Sequence, residues 1–218
     1  MKNLLNKEFR LALHPTNIIF ISFALMLLIP NFPYLVAFFY TGLGLFFTCL
    51  TGRENNDTEY SISLPVGRKD VVKGRIAFAV ILELATLVVS VPFAIIRDFI
   101  IKGIPSNQAG SMPGLAFFGL AFLLYGVFNA VFFTCYYKNP LKVGKSFVLA
   151  SLAIFIVVIV DIVLSHVPVC SEVFCDTGNS RIAAKLSVFF AGIAVYIVLT
   201  AIAVVRSAKN FSKLDLQS

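Results

Sequence analysis

Residues 53–75, RENNDTEYSISLPVGRKDVVKGR, decide how the chain is read. Five cations (Arg53, Arg68, Lys69, Lys73 and Arg75) and four acids (Glu54, Asp57, Glu59 and Asp70) are set in this one stretch. The apolar runs on its two sides, residues 33–51 and 76–96, are each long enough to cross a bilayer at about 20 residues per crossing. A polar insert of this size, broken at Leu64-Pro65, exceeds the shortest link between two spans. It reads as a handle for something on the cytoplasmic side.

The rest of the chain agrees with a lipid solvent. Of its 218 residues 59% are hydrophobic and 13% charged, and 23 are Phe, too little polar surface to cover a water-soluble core. Six apolar segments follow one another, at 16–29, 33–51, 76–96, 115–136, 146–164 and 182–205. The first is short and stops at Pro30-Asn31-Phe32-Pro33, where two prolines remove backbone donors and turn the chain. Helices satisfy their own backbone hydrogen bonds in lipid, so the expected fold is all-α: a polytopic membrane protein with six transmembrane helices.

Cations set the orientation. With the N-terminus inside, 14 of the 18 Lys and Arg fall on the cytoplasmic side: Lys2, Lys7, Arg10, the five in residues 53–75, Lys138, Lys142, Lys145, Arg206, Lys209 and Lys213. Arg97, Lys102, Arg181 and Lys185 fall outside. The positive-inside rule then places both termini in the cytoplasm and accounts for the net charge of +7, with the lipid bilayer and not nucleic acid as the partner. Residues 1–14 alternate Leu4, Leu5, Phe9, Leu11 and Leu13 with Lys2, Lys7, Glu8 and Arg10. This suits a short amphipathic helix in the membrane interface, ended by His14-Pro15; the alternative is a cytoplasmic extension of the first span. A cleaved leader fits less well, since the apolar run meets prolines and a second span without a small-residue cleavage site.

Catalytic signatures fail in turn, and no metal or cofactor site is expected in this chain. Its two histidines, His14 and His166, lie near opposite membrane faces, which excludes a paired-His metal helix. The segment from Asn139 to Ser146, NPLKVGKS, would be a phosphate-binding loop if position 139 were Gly. Asn139 and Pro140 spoil it, and a spanning segment follows, so Lys138, Lys142 and Lys145 read as anchors at the inner face.

Charges inside the spans are the remaining candidates. Glu83 lies about 12 Å along its helix from the inner end. Thr86 and Ser90 follow at i+3 and i+7, giving a polar stripe that faces protein or a cavity. It is either part of a substrate path or subunit contact, or a structural hydrogen bond to another helix. Asp161, near Ser165 and His166, is expected at the outer end of its span, within reach of water or Arg181. Asn129, one turn after Tyr125, reads as packing glue between helices. Cys49 and Cys135 sit at inner ends and should remain thiols, whereas Cys170 and Cys175 share the last outer loop and are expected to form a disulfide there.

Ser63-Leu64-Pro65-Val66-Gly67-Arg68, preceded by Glu54, Asp57 and Glu59 and followed by a basic entry into the next span, resembles the loop between the second and third spans of small type-2 ABC exporter permeases of bacteria. The resemblance extends to the plan of a polar N-terminal helix and six spans over this length. It implies a permease subunit in the cell membrane, working with a second permease copy and with separate ATPase subunits that bind ATP and Mg; the permease itself would not be an enzyme. It further implies that residues 53–64 form a coupling helix docked on the ATPase, supported by residues 1–14. The contacts would then fall to Arg53, Glu54, Asp57, Glu59, Tyr60, Ile62 and Leu64, with Pro65 and Arg68 joining the segment to the third span. Some members export amphipathic peptides or toxins. The rival readings are a membrane sensor or assembly subunit that binds a partner through the same loop, and an intramembrane enzyme using Glu83 and Asp161.

Overall fold

The computed structural model describes residues 8–9, 15–57, 60–61, 66–100, 109–176, 178 and 181–214. Helices dominate these residues and no strand occurs among them. The chain enters through α1 (Pro15–Ser22), which tightens at once into a 3-10 helix (Phe23–Leu28). The long helices are α2 (Val36–Glu54), α3 (Arg68–Ile100), α4 (Leu115–Tyr136), α5 (Val143–His166) and α7 (Ile182–Ser212). A short helix, α6 (Pro168–Phe174), lies between the last two.

Among the described residues five helices are long and apolar enough to cross a membrane, and the first of the six segments expected from the sequence forms a shorter apolar helix. The first apolar segment differs because Pro15 opens it and Pro30 and Pro33 follow it closely. At roughly 1.5 Å per α-helical and 2.0 Å per 3-10 residue, its 14 residues extend only about 24 Å. It is held by packing and by Asn17, which donates to Thr48 Oγ1 of α2 at 2.8 Å. Asn31, with φ of 54°, takes the left-handed conformation that turns the chain back towards α2. The other boundaries move outward. The basic entry at Arg68 is already the first turn of α3, and α7 continues past Val205 to Ser212.

At the centre stands α4, whose most apolar stretch is 61% buried, against 17% for α7. Its longest contact is with α7, and small residues make that contact close. A methyl group on Gly119 would come within 2.6 Å of the Val188 carbonyl, and one on Gly192 would strike the Gly119 carbonyl. Phe38, Phe117, Tyr125, Phe128, Phe132 and Phe133, all buried, fill the space around α4. The outer surfaces of α3, α5 and α7 expose Val88, Phe99, Ile156, Phe190 and Ile197, side chains suited to a lipid solvent.

The cations expected outside are internally paired. Arg97 donates from Nε to Tyr34 Oη at 2.9 Å and lies 4.9 Å over that ring. Arg181 pairs with Glu172 at 2.7 Å, and Lys185 with Asp176 at 3.0 Å. Lys102 is outside the described residues.

Candidate functional site

Three ion-bearing side chains meet where α3 enters the bundle. Arg75, in the second turn of α3, places Nε 2.8 Å from Glu8 Oε2, and its Nη2 donates to Asp57 Oδ2. All three are withdrawn from solvent: the side chains of Arg75, Glu8 and Asp57 are 7%, 3% and 16% exposed. One planar guanidinium thus ties the N-terminal segment and the segment after α2 to α3. Arginine suits this place because its fork reaches two carboxylates at once and keeps its charge when buried. Gly52 borders the junction, where an added methyl group would lie 3.7 Å from Asp57 and 3.9 Å from the guanidinium, an ordinary contact.

Local geometry explains why Asp57 arrives there. Asn55 closes α2 by donating its N–H to the Thr51 carbonyl, and Asn56 takes a left-handed conformation with φ of 51°. That turn redirects the chain, the Tyr60 N–H bonds back to the Asn56 carbonyl, and Ser61 Oγ donates to the Asp57 carbonyl at 2.6 Å. Tyr60 then points outward, 53% exposed. Arg53 reaches across to the Leu141 carbonyl at 3.2 Å and also meets Glu54 at 3.8 Å. Arg68 goes elsewhere: Nη1 donates to the Leu214 carbonyl at 2.8 Å and to Phe211 at 3.3 Å, where a cation offsets the helix dipole at the end of α7. Glu59, Ile62, Leu64 and Pro65 lie outside the described residues. So does most of the expected interfacial helix at 1–14, of which only Glu8 and Phe9 are described. The Phe9 ring stands edge-on to Phe78 of α3 at 5.3 Å.

A second polar cluster lies deeper. Glu83 is fully buried and accepts from Tyr196 Oη at 2.7 Å and from Asn129 Nδ2 at 3.0 Å, joining α3 to α7 and α4. Asn129 Nδ2 also lies 3.3 Å from Thr200 Oγ1. One turn along α3, Thr86 Oγ1 is 3.1 Å from Thr41 of α2, and the Tyr125 hydroxyl donates to Thr41 at 3.0 Å. Four helices are thereby linked by side chains at one level. Glu83 Oε1 and Asn129 Oδ1 remain buried without hydrogen-bond partners. Ser90 is buried too but donates to the Leu87 carbonyl of its own helix, so it belongs to the stripe without joining the cluster.

Two expectations for the outer side need correction. Asp161 does not reach water or Arg181: it is 1% exposed, faces the Ser111 N–H at 3.4 Å, and Arg181 is committed to Glu172. Cys170 and Cys175 are free thiols, not a disulfide. The expected loop is the helix α6, and across five helical residues the two side chains diverge by roughly 140° with a rise of about 7.5 Å, beyond ordinary disulfide reach. Cys175 Sγ instead faces the Ser165 carbonyl at 3.5 Å. Burial pushes its thiol pKa up, and the Asp161 carboxylate adds to the effect.

Sequence reasoning missed Arg75 and Glu8, counting the first as a topological anchor and the second as part of an amphipathic pattern. Nothing local marks either, because their pairing spans 67 positions of chain (75 less 8). Tyr196, Thr200 and Thr41 were equally hidden, though a tyrosine or threonine inside an apolar span is a weak pointer to a hydrogen bond between helices. No match emerged among curated proteins or among solved structures. A family model described as "ABC-2 family transporter protein" matches residues 3–212, nearly the whole chain. With its helical membrane fold, the chain therefore belongs to the ABC-2 transporter family, as a permease subunit of an ABC transporter.

Proposed function

We propose that this chain is the permease of an ATP-driven exporter, in which residues 53–64 dock on a separate ATPase subunit and pass its stroke to α3 through Arg75. The observation that carries this reading is the buried junction of Arg75 with Asp57 and Glu8. A connection with no mechanical role has no need of a desolvated guanidinium that grips two separate segments. With one there, movement of the segment holding Asp57 pulls directly on the second turn of α3. Tyr60, exposed beside that junction, supplies an apolar anchor of the kind a docking surface uses, with Leu64 as its expected partner.

In the cycle we infer, ATP and Mg act on the partner ATPases, and this chain does no nucleotide chemistry. Closure of two ATPases pushes both coupling segments, and two permease copies rock between inward- and outward-accessible states. The copies enclose the path between them, and both termini face the cytoplasm. A substrate of hydrophobic or amphipathic character, such as a peptide, fits walls this rich in Phe. The test is co-purification: the tagged parent chain should retain an ABC ATPase and alter its turnover. Tyr60→Asp combined with Leu64→Asp should insert normally and lose at least about nine-tenths of that ATPase, as expected for hot-spot anchors. A double variant that keeps its ATPase and its transport would remove the segment from the mechanism.

A further inference from the structure

The inner ends of α4 and α5 enclose a cavity of about 320 Å³ with a basic rim. Lys138 and Asn139 come from the turn after α4; Lys142, Lys145 and Ser146 come from the 3-10 turn Pro140–Lys142 and the start of α5; Leu149 borders the hollow on the apolar side. Its volume falls at the lower end of the range of small-ligand pockets, about 300–1,000 Å³. No acid pairs with these three lysines among the described residues. Lys69, Arg206, Lys209 and Lys213 also have no acid partner among the described residues but do not line this hollow, whereas several other cations are held by partners. Arg75 holds two carboxylates, Lys73 meets Asp70, Arg68 caps α7, and Arg97, Arg181 and Lys185 are all paired outside. Three lysines line one hollow, and an anion seated among them would be attracted to all three.

The chemistry beside the rim selects the anion. Val148 and Leu152, 57% and 59% exposed, begin an apolar strip that continues along α5 through Phe155 and Ile159. An occupant therefore needs a negative head small enough for the lysines and an apolar body to lie on α5. We propose that this hollow binds the headgroup of an anionic phospholipid from the leaflet at the basic face. The phosphodiester sits among Lys138, Lys142 and Lys145, headgroup hydroxyls meet Asn139 and Ser146, and the acyl chains follow the exposed strip of α5. Basic hollows between helices at the cytoplasmic face are suited to such lipids. The Gly144-Lys145-Ser146 sequence makes soluble phosphate the competing source. A nucleotide, however, would set its sugar and base against an apolar strip that offers them no hydrogen bonds. The inference stands independently of the transport reading, because binding is measured on the isolated chain.

The experiment is native mass spectrometry of the full-length chain released from detergent, with phosphatidylglycerol, phosphatidylcholine, inorganic phosphate or Mg-ATP added in separate arms. Phosphatidylglycerol adducts should exceed phosphatidylcholine adducts at least about tenfold. The triple variant Lys138→Gln, Lys142→Gln, Lys145→Gln should lose phosphatidylglycerol occupancy by about tenfold or more, as expected for three lysines near one anionic head. Lys69→Gln, Lys209→Gln, Lys213→Gln removes as much charge and should change occupancy less than about twofold. Equal loss in both triples, equal binding of the two lipids, or displacement of phosphatidylglycerol by phosphate or Mg-ATP overturns the proposal. Should the first triple fail to insert, ultraviolet crosslinking of the parent chain to a diazirine-tailed phosphatidylglycerol decides. Crosslinks concentrated at residues 135–160 support the site, and an even spread along the chain sinks it.

Discussion

Replacing Arg75 by methionine, which keeps a comparable stem and removes the charge, would leave Glu8 and Asp57 as two carboxylates in a largely desolvated corner. With those side chains 3% and 16% exposed, water cannot take over the lost guanidinium without opening the junction. Removing one partner of a buried ion pair costs on the order of 3–5 kcal/mol. At about 1.4 kcal/mol per tenfold, the population with the segment detached should rise by roughly two to three and a half decades. Cys49 provides the assay. It is 1% exposed in α2 and feels the charges of Arg75, Glu8 and Asp57. In a background with Cys135, Cys170 and Cys175 changed to Ser, its alkylation rate reports opening of this corner. Arg75→Met should speed that reaction about a hundredfold or more and release the partner ATPase. Arg75→Lys keeps the charge but loses the fork, and should fall between parent and Arg75→Met. An Arg75→Met chain that alkylates at the parent rate and retains its ATPase would refute the assignment of this junction as the joint.

Other outcomes follow from the interior. Glu83→Leu should lower thermal stability in detergent by about 1–3 kcal/mol, since it strands Tyr196 and Asn129, and Glu83→Gln should cost less because it still accepts from Tyr196. Equal melting of the two variants would mean that the polar cluster holds nothing together. Gly192→Val should disrupt the α4–α7 crossing and abolish recovery of folded protein, whereas Gly144→Ala, with nothing within 4 Å of the added methyl, should leave recovery at the parent level. Both Cys170 and Cys175 should be alkylated in freshly prepared membranes without reductant, Cys175 more slowly at neutral pH because its raised pKa leaves less thiolate. A non-reducing intact mass with both thiols blocked would restore the disulfide.

Class, helix order and the polar insert were legible because each rests on properties of a contiguous segment. Runs such as 115–136 carry their own signal, and this one coincides with α4. Prolines marked the short first segment but not its passage into a 3-10 helix at Phe23. Polar contacts between helices were partly legible. Glu83 announced itself through the cost of a carboxylate in lipid, but its partners Asn129 and Tyr196 lie 46 and 113 positions away. The helix α6 was read as a loop because seven residues carry too little periodicity to assert a helix. The disulfide inferred from that loop failed with it.

The short first segment has a bearing on the surrounding lipid. A hydrocarbon slab of about 30 Å exceeds an element of about 24 Å by some 6 Å. Neighbouring acyl chains must shorten their reach along Ile18, Ile19 and Leu25, which α1 and its 3-10 extension expose. At fractions of a kcal/mol per ångström, that elastic deformation is comparable with a good hydrogen bond. Bilayers of shorter-chain lipids should therefore stabilise this corner and longer-chain ones strain it, making membrane thickness a variable in the protein's own folding equilibrium.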